Sequence, residues 1–447
     1  MRFILRFIKW GLMLLLLLVV VWFGLAETKS LPEPTAVQRK ALATLSTGTV
    51  RATGKHNGFR GLWLVAYNIP DADVYKVMNS DVAHYGLTAP RSFSGKQPST
   101  AEGHYPRQDL AADAPGLCQS QEDDCLARTR TRLDAARKLV ADHALLLDHM
   151  RELGDADHFH DLFRPGAGNV AESIPALTGL QLTDAALHFV DGGRDEALSR
   201  VCLVAATSRT AVTHGDSTRL DAAESIAYQR AAYLFAEMLA EMPAKAPLPD
   251  ACTTAFAPVA DADLDLCDAM KLESRDGDFT AEAMFRHANQ NHSSFKGFLQ
   301  EVFYNQWASE ALHAVNLASY CYYADADIKQ EWARMKSADF IALDGWEGAL
   351  LNPAGEAIEV DSTVDYSGLA SRVENLQRVN ELVRTALDLR SKAAAAAGTS
   401  IDQLAAGALP KDMSWNANHR QLRMARSWKR DDQPADFSIP LPATRLQ

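Results

Sequence analysis

Residues 195–239 read DEALSRVCLVAATSRTAVTHGDSTRLDAAESIAYQRAAYLFAEML. Apolar residues recur at three- and four-residue spacing on either side of THGDST, the spacing of one face of an α-helix. The stretch predicts two helices, Arg194–Val212 and Leu220–Met242, with Asp216 or Ser217 able to cap the second. Helices of this length joined by short turns fit an irregular bundle or an α-solenoid, so the fold class is mainly α.

The same period extends outward. Upstream, Leu126–Leu153 places Leu133, Ala136, Leu139, Val140, Ala144, Leu146 and Leu147 on one face. That predicts a single amphipathic helix of about seven turns. Thr183–His188 resumes the pattern. Downstream, Pro243–Asp250 closes the pair. Asp263–Lys271, Thr280–Tyr323 (broken near His292–Ser294), Ile328–Ala338 and Leu369–Ala397 complete the helical set, with Gly398 as a stop. Asn57–Pro70 is too short for its period to separate strand from buried helix. Residues 86–117 collect Gly, Pro, Ser and Asp without a period, as a pinned surface loop does. In the tail, Met413–Trp415 and Arg420–Ala425 alternate around a polar turn like a β-hairpin, with Phe437–Leu441 as a third strand. Lys411, Arg420, Arg423, Arg426, Lys429 and Arg430 lie there with Trp415 and Trp428, a solvated basic face or a contact for anionic lipid headgroups or an acidic partner.

The whole chain has 447 residues, 47% apolar and 23% charged, which suits globular domains and excludes disorder. Its net charge of −12 argues against a nucleic-acid partner, which calls for a basic face. Arg2, Arg6 and Lys9 precede an uncharged run from Trp10 to Ala26, read as a transmembrane helix anchoring the chain in the inner membrane. A cleaved signal peptide is the alternative, since Gly24 and Ala26 are small. The expected organisation is an anchor at 1–26, a stalk at 27–55, a helical periplasmic domain at 56–407 and a β-containing tail at 408–447. A division of the helical domain near 243–262 stays open.

All six cysteines follow the anchor, and an even number in an oxidising space favours disulfides. Proximity along the chain suggests a local staple between Cys118 and Cys125 and a second between Cys252 and Cys267. Cys202 and Cys321 are either paired or buried as thiols.

Three stretches together resemble a group of N-terminally anchored, mostly helical gammaproteobacterial envelope proteins. They are NGFRGLWLVAYNIPDADVYKVM (57–78), the paired cysteines and following helix of 117–159, and the 195–239 stretch. The segment LPKDMSWNANHRQLRM (409–424) is similar to the short hairpin ending those proteins, without their Pro-Phe-Thr-Gly-type turn. The group has no established activity, so the resemblance implies an address and a fold and no catalytic residue.

The densest set of potential ligands is His143, His149, Asp155, Asp157, His158, His160 and Asp161. In an extended segment His158 and His160 would face one side, as a metal pair requires; in a helix they diverge by about 200°. Helix-end and surface histidines are the favoured reading, and no metal or cofactor is assigned. Ser293 and Lys296 satisfy S-x-x-K between His287, His292 and a polar helix break, without the companion elements of that catalytic family. Glu172 in AESIPALTGLQL is similar to the glutamate of lytic transglycosylases, where burial makes a general acid, but the downstream Gly-Leu-Met-Gln-type element is missing. Phe295, Phe298, Val302, Phe303, Trp307, Leu312 and Val315, with Tyr320, Tyr322 and Tyr323 beyond, read as core, a groove for a lipid or an apolar peptide being the alternative.

With no catalytic set assigned, the expected role is binding or scaffolding in the cell envelope, with an envelope protein as partner. A cell-wall hydrolase using Glu172 or the His143–His160 region is the alternative. A periplasmic immunity or inhibitor protein is the third.

Overall fold

The two helices of the 195–239 stretch are α9 (Arg194–Thr213) and α10 (Thr218–Ala240) in the computed structural model. The structure describes residues 2–28, 32–46, 55–86, 98–118, 124–163, 170–275, 304–337, 351–352, 366–395, 400–407, 409–427, 429 and 434–441. The chain divides into two units. The first comprises Met1–Thr49 and Leu266–Tyr366, the second Val50–Asp265 and Ser367–Gln447.

In the second unit α10 is the central rod. It packs against α8 (Ile174–Val190), α9, the long α14 (Ser367–Ala395) and the last strand, Asp436–Pro440. Ala227, Tyr228, Ala231, Leu234, Phe235 and Met238 are consequently buried around most of its circumference, as in a helix enclosed by neighbours. Several of the polar groups taken inside are bonded. Arg230 donates to the carbonyls of Pro175 and Cys118, and Asn380 Nδ2 donates to Tyr228 Oη at 2.7 Å and to the Ala257 carbonyl at 3.2 Å. Ser217 sits at the N-cap of α10 but makes no side-chain capping bond. Asp216, the other expected cap, is engaged by a different segment (below).

The single long helix expected over Leu126–Leu153 is instead three short ones: α5 (Cys125–Thr131), α6 (Leu133–Asp142) and α7 (Ala144–Glu152). The breaks fall at Arg132 and His143, whose φ values are −125° and −118°. Each piece touches α8. A straight rod of that length would leave a crossing helix after a few turns, whereas the bends keep it wrapped on α8.

Cys118 and Cys125 form the expected local disulfide, with Cα atoms 5.5 Å apart. The Cys252–Cys267 pairing is corrected. Cys252 bonds Cys202, and Cys267 bonds Cys321, with Cα separations of 4.8 and 4.3 Å. The reason is packing: α11 (Asp250–Ala255) lies on α9 beside Cys202, and Cys267 belongs to the first unit. The tail forms an antiparallel sheet, β1 (Met413–Asn416), β2 (Gln421–Ala425) and β3 (Asp436–Pro440), in sequential order. Leu422 pairs with Ile439 and Met424 with Phe437, and this face is buried. The basic residues are partly drawn inward: Arg420 pairs with Asp402, and Arg426 lies 4.1 Å from the Phe437 ring. Trp428 and Arg430 lie outside the described residues.

In the first unit, α2 (Ala36–Ser46) packs on α12 (Gln306–Ala318), and α13 (Ala326–Ser337) on both. Residues 36–46, expected within a stalk, bury Gln38, Ala41 and Leu45. Thr35 and Gln38 close the start of α2 reciprocally, each side chain accepting from the other's backbone N–H. Lys40 bonds Asp325 and Asp327 ahead of and within α13. Of the aromatic set expected in the core, Trp307, Tyr322 and Tyr323 are exposed, Tyr320 is half-buried, Leu312 and Val315 are buried, and residues 295–303 lie outside the described residues. The N-terminal segment is one helix, α1 (Arg2–Thr28), whose apolar side chains from Trp10 to Val21 are exposed. Among the described residues no helix is long and apolar enough to cross a membrane. The uncharged run of α1 is 17 residues, about 25 Å of helix, against a hydrocarbon core of about 30 Å.

Candidate functional site

The sequence NGFRG (57–61) opens α3 (Phe59–Leu64), a short buried helix. Its two glycines allow a close approach: a Cβ on Gly58 would lie 2.2 Å from the Phe159 ring, and one on Gly61 2.5 Å from Leu153. α3 thereby seats against the end of α7 and the segment after it. Pro70 then starts α4 (Asp71–Tyr85). Between α3, α4, the end of α7 and residues 155–162 opens a groove of about 800 Å³. Leu64, Val65, Val74 and Met78 give it apolar surface, and Lys55, Arg60, Asp71, Glu152 and Asp155 give it charge. The guanidinium of Arg60 lies 4.5 Å from the ring centroid of Tyr75 and lowers the pKa of that phenol.

Asp81 braces the outer wall. Its buried carboxylate accepts from Trp63 Nε1 at 2.6 Å, Ser99 Oγ at 2.6 Å and the Thr100 amide at 2.7 Å, pinning the 98–101 turn to α4. Asp81→Ala strands these buried donors and is expected to cost about 2 kcal/mol. Limited proteolysis should show new cleavage at 98–104 before the rest of the chain opens.

Behind the lining residues Lys55 and His56 lies the rest of the expected histidine cluster. Residues 157–160 are extended between two neighbours, with single bridges from His158 to Asn57 and from Phe159 to Gly215. His158 and His160 therefore face one side, with ring centroids 4.8 Å apart, as an extended segment requires. Each has a carboxylate: Asp157 Oδ1 lies 2.6 Å from His158 Nδ1, and Asp216 Oδ2 lies 3.2 Å from His160 Nδ1. Asn57 grips the backbone of His160 in both directions, accepting from its N–H and donating to its carbonyl.

These carboxylates are already engaged. Asp157 accepts from His158 and from the amides of Lys55 and His56, and its pKa falls to about 2, the His158 bond contributing most. Asp216 accepts from the Asp161 amide at 2.8 Å, and Asp161 accepts from the Phe163 amide at 2.8 Å. Among the described residues this cluster does not bring three ligand atoms within 4.8 Å of one another, so it does not form a tetrahedral metal cage. It ties the groove wall to the start of α10.

The remaining candidates are dispersed. His143 sits at the α6–α7 break with Nδ1 2.9 Å from the Leu139 carbonyl. His149 and Asp155 line the groove, and His149 Nδ1 lies 2.8 Å from the Val65 carbonyl, joining α7 to α3. Glu172 is exposed in a single 3₁₀ turn, Val170–Glu172. The burial that would make it a general acid is missing. His287, His292, Ser293 and Lys296 lie outside the described residues. Arg60, Tyr75, Asp81 and Glu152 were not singled out from sequence; the one available signal was the pair of glycines three apart in NGFRG, which marks a close helix approach.

Behind the cluster, α10 buries two further acids. Glu224 is bonded to Ser208, and burial raises its pKa to about 7. Burial, then Asp216 and Glu224, hold the Asp221 carboxyl well above its ordinary range. No known protein family, curated protein or solved structure matches this chain.

Proposed function

We propose that this is an envelope protein held at the inner membrane by α1, with both disulfide-bonded units on the periplasmic side, and that the second unit binds a ligand in its groove without converting it. The address rests on α1: an exposed apolar run from Trp10 to Val21 calls for cover, and three basic residues precede it. Trp10, Trp22 and Phe23 suit the headgroup levels, and local thinning of the bilayer accommodates a run of this length. Three disulfides in one chain favour an oxidising compartment. Binding is favoured over catalysis by one observation. The carboxylates nearest the imidazoles are committed to backbone amides, and Glu172 is exposed. That cluster and Glu172 thus leave no poised general acid–base pair of the kind the hydrolase alternative needs.

The test is a photo-crosslinking residue at Asn79, exposed on the groove wall, in the full chain expressed in its own membrane. The expected result is a membrane fraction that resists carbonate extraction, thiols that label only after reduction, and a crosslinked adduct at position 79. A carbonate-soluble chain with freely labelled thiols would overturn the address, and an adduct-free groove the binding role.

A further inference from the structure

We infer that the occupant of this groove is a short peptide segment carrying both an acidic and a basic group beside apolar side chains; the inference rests on the binding reading above. The volume of about 800 Å³ falls in the range of ligand-binding clefts. Its lining is chemically mixed, and that mixture selects the ligand. Lys55 and Arg60 face the same space as Asp71, Glu152 and Asp155. Among the described residues none of these five side chains makes an ion pair.

An acyl chain entering such a groove would strip water from charges of both signs and return nothing to them. A phosphate or other polyanion would meet three carboxylates. A neutral sugar would leave both signs unanswered, and the ring best placed to stack on it, Tyr75, already carries the Arg60 guanidinium 4.5 Å from its centroid. A peptide answers every part of the lining. Its carboxylate bonds the planar fork of Arg60, its ammonium or guanidinium group meets Glu152 and Asp155, and an apolar side chain covers Leu64, Val74 and Met78. Glu152 and Asp155 also flank the C-terminal end of α7, where the helix dipole adds to their attraction for a cation.

The test uses the full chain purified in detergent, immobilised and panned against a displayed random peptide library. Enriched peptides are then measured by fluorescence anisotropy, with a fluorescent fatty acid and a labelled oligosaccharide as the other probes. Enriched peptides are expected to carry both charges. Arg60→Glu should weaken them about tenfold, and exchanging the peptide's acidic residue for lysine should recover most of that loss. Glu152→Lys with Asp155→Lys should do the reverse. All three positions are exposed or half-buried, so circular dichroism and intact disulfides report folding of each variant. Enriched peptides indifferent to Arg60→Glu and to the groove-filling Asn79→Trp would overturn the inference. Fatty acid or oligosaccharide binding that Asn79→Trp blocks, with no peptide enriched, would overturn it while leaving the binding role standing. Absence of every probe together with an empty crosslink at position 79 would remove both.

Discussion

Burial of Glu224 alone is expected to take about 3 kcal/mol from the second unit as pH rises to about 8, opposite to the usual rise of stability out of the acid range. The cause lies in α10. Glu224 is fully buried, and its carboxyl titrates at about 7 in the folded chain against an ordinary 4.5. Between those values the folded state binds a proton that the unfolded state has released, so stability falls as pH rises. The effect is fully present below 4.5 and is lost as pH passes through about 7. At about 1.4 kcal/mol per pH unit, this gap corresponds to roughly 3 kcal/mol. Asp221 acts in the same direction, and so does Glu237, raised to about 8 chiefly by burial and next by Asp124. Asp157 sets the acid side: the contribution of its lowered pKa is present above 3.8 and is lost as pH falls through about 2. Glu224→Gln keeps a partner for Ser208 and removes the ionisation. Hydrogen exchange of the α10 amides should then show more protection than wild type at pH 8, little difference at pH 5 and a shallower pH slope. A variant less protected than wild type at pH 8 would sink this account.

The helices that position these acids were legible from sequence, since α9 and α10 keep an uninterrupted apolar period either side of THGDST. The breaks at Arg132 and His143 were not. Neither is Gly or Pro, and the apolar spacing of Leu126–Leu153 runs through both; the bend is imposed by α8, which one-dimensional spacing does not contain. The site divides the same way. That His158 and His160 share a face follows from an extended backbone, but what makes the backbone extended is pairing with Asn57 and Gly215, about 100 and 55 residues away. Asp216 looked like a helix cap because local geometry permits it, and a distant amide, that of Asp161, won the carboxylate instead. Glu172 shows the converse. Its neighbours resemble a catalytic motif, yet burial decides whether a glutamate is an acid, and burial is not a local property.

Removing the Cys202–Cys252 disulfide with paired serines is expected to destabilise the second unit by about 4 kcal/mol, the larger effect among its two bridges. The bond joins residues 50 apart, whereas Cys118–Cys125 spans 7. A longer loop forfeits more entropy in the unfolded chain when closed, and the same relation gives roughly 2.5 kcal/mol for the short bridge. The native contacts around the long bridge are strong enough to hold α11 in place without it. Arg209 donates to the carbonyls of Ala257 and Pro258 at 2.6 and 2.7 Å, Asn380 holds the Ala257 carbonyl, and Phe256 stacks on Phe235 at 4.6 Å. The folded structure should therefore survive the substitution with little change, and the loss should appear almost wholly through the unfolded state. Urea unfolding followed by near-ultraviolet circular dichroism separates these possibilities. The expected result is an unchanged native spectrum, a lower midpoint and a larger m-value from a more expanded unfolded chain. Should Cys118→Ser with Cys125→Ser prove the more damaging pair, loop closure would not be what the bridges supply, and the hydrogen bonds of Cys118 to Thr183 and Arg230 would take its place.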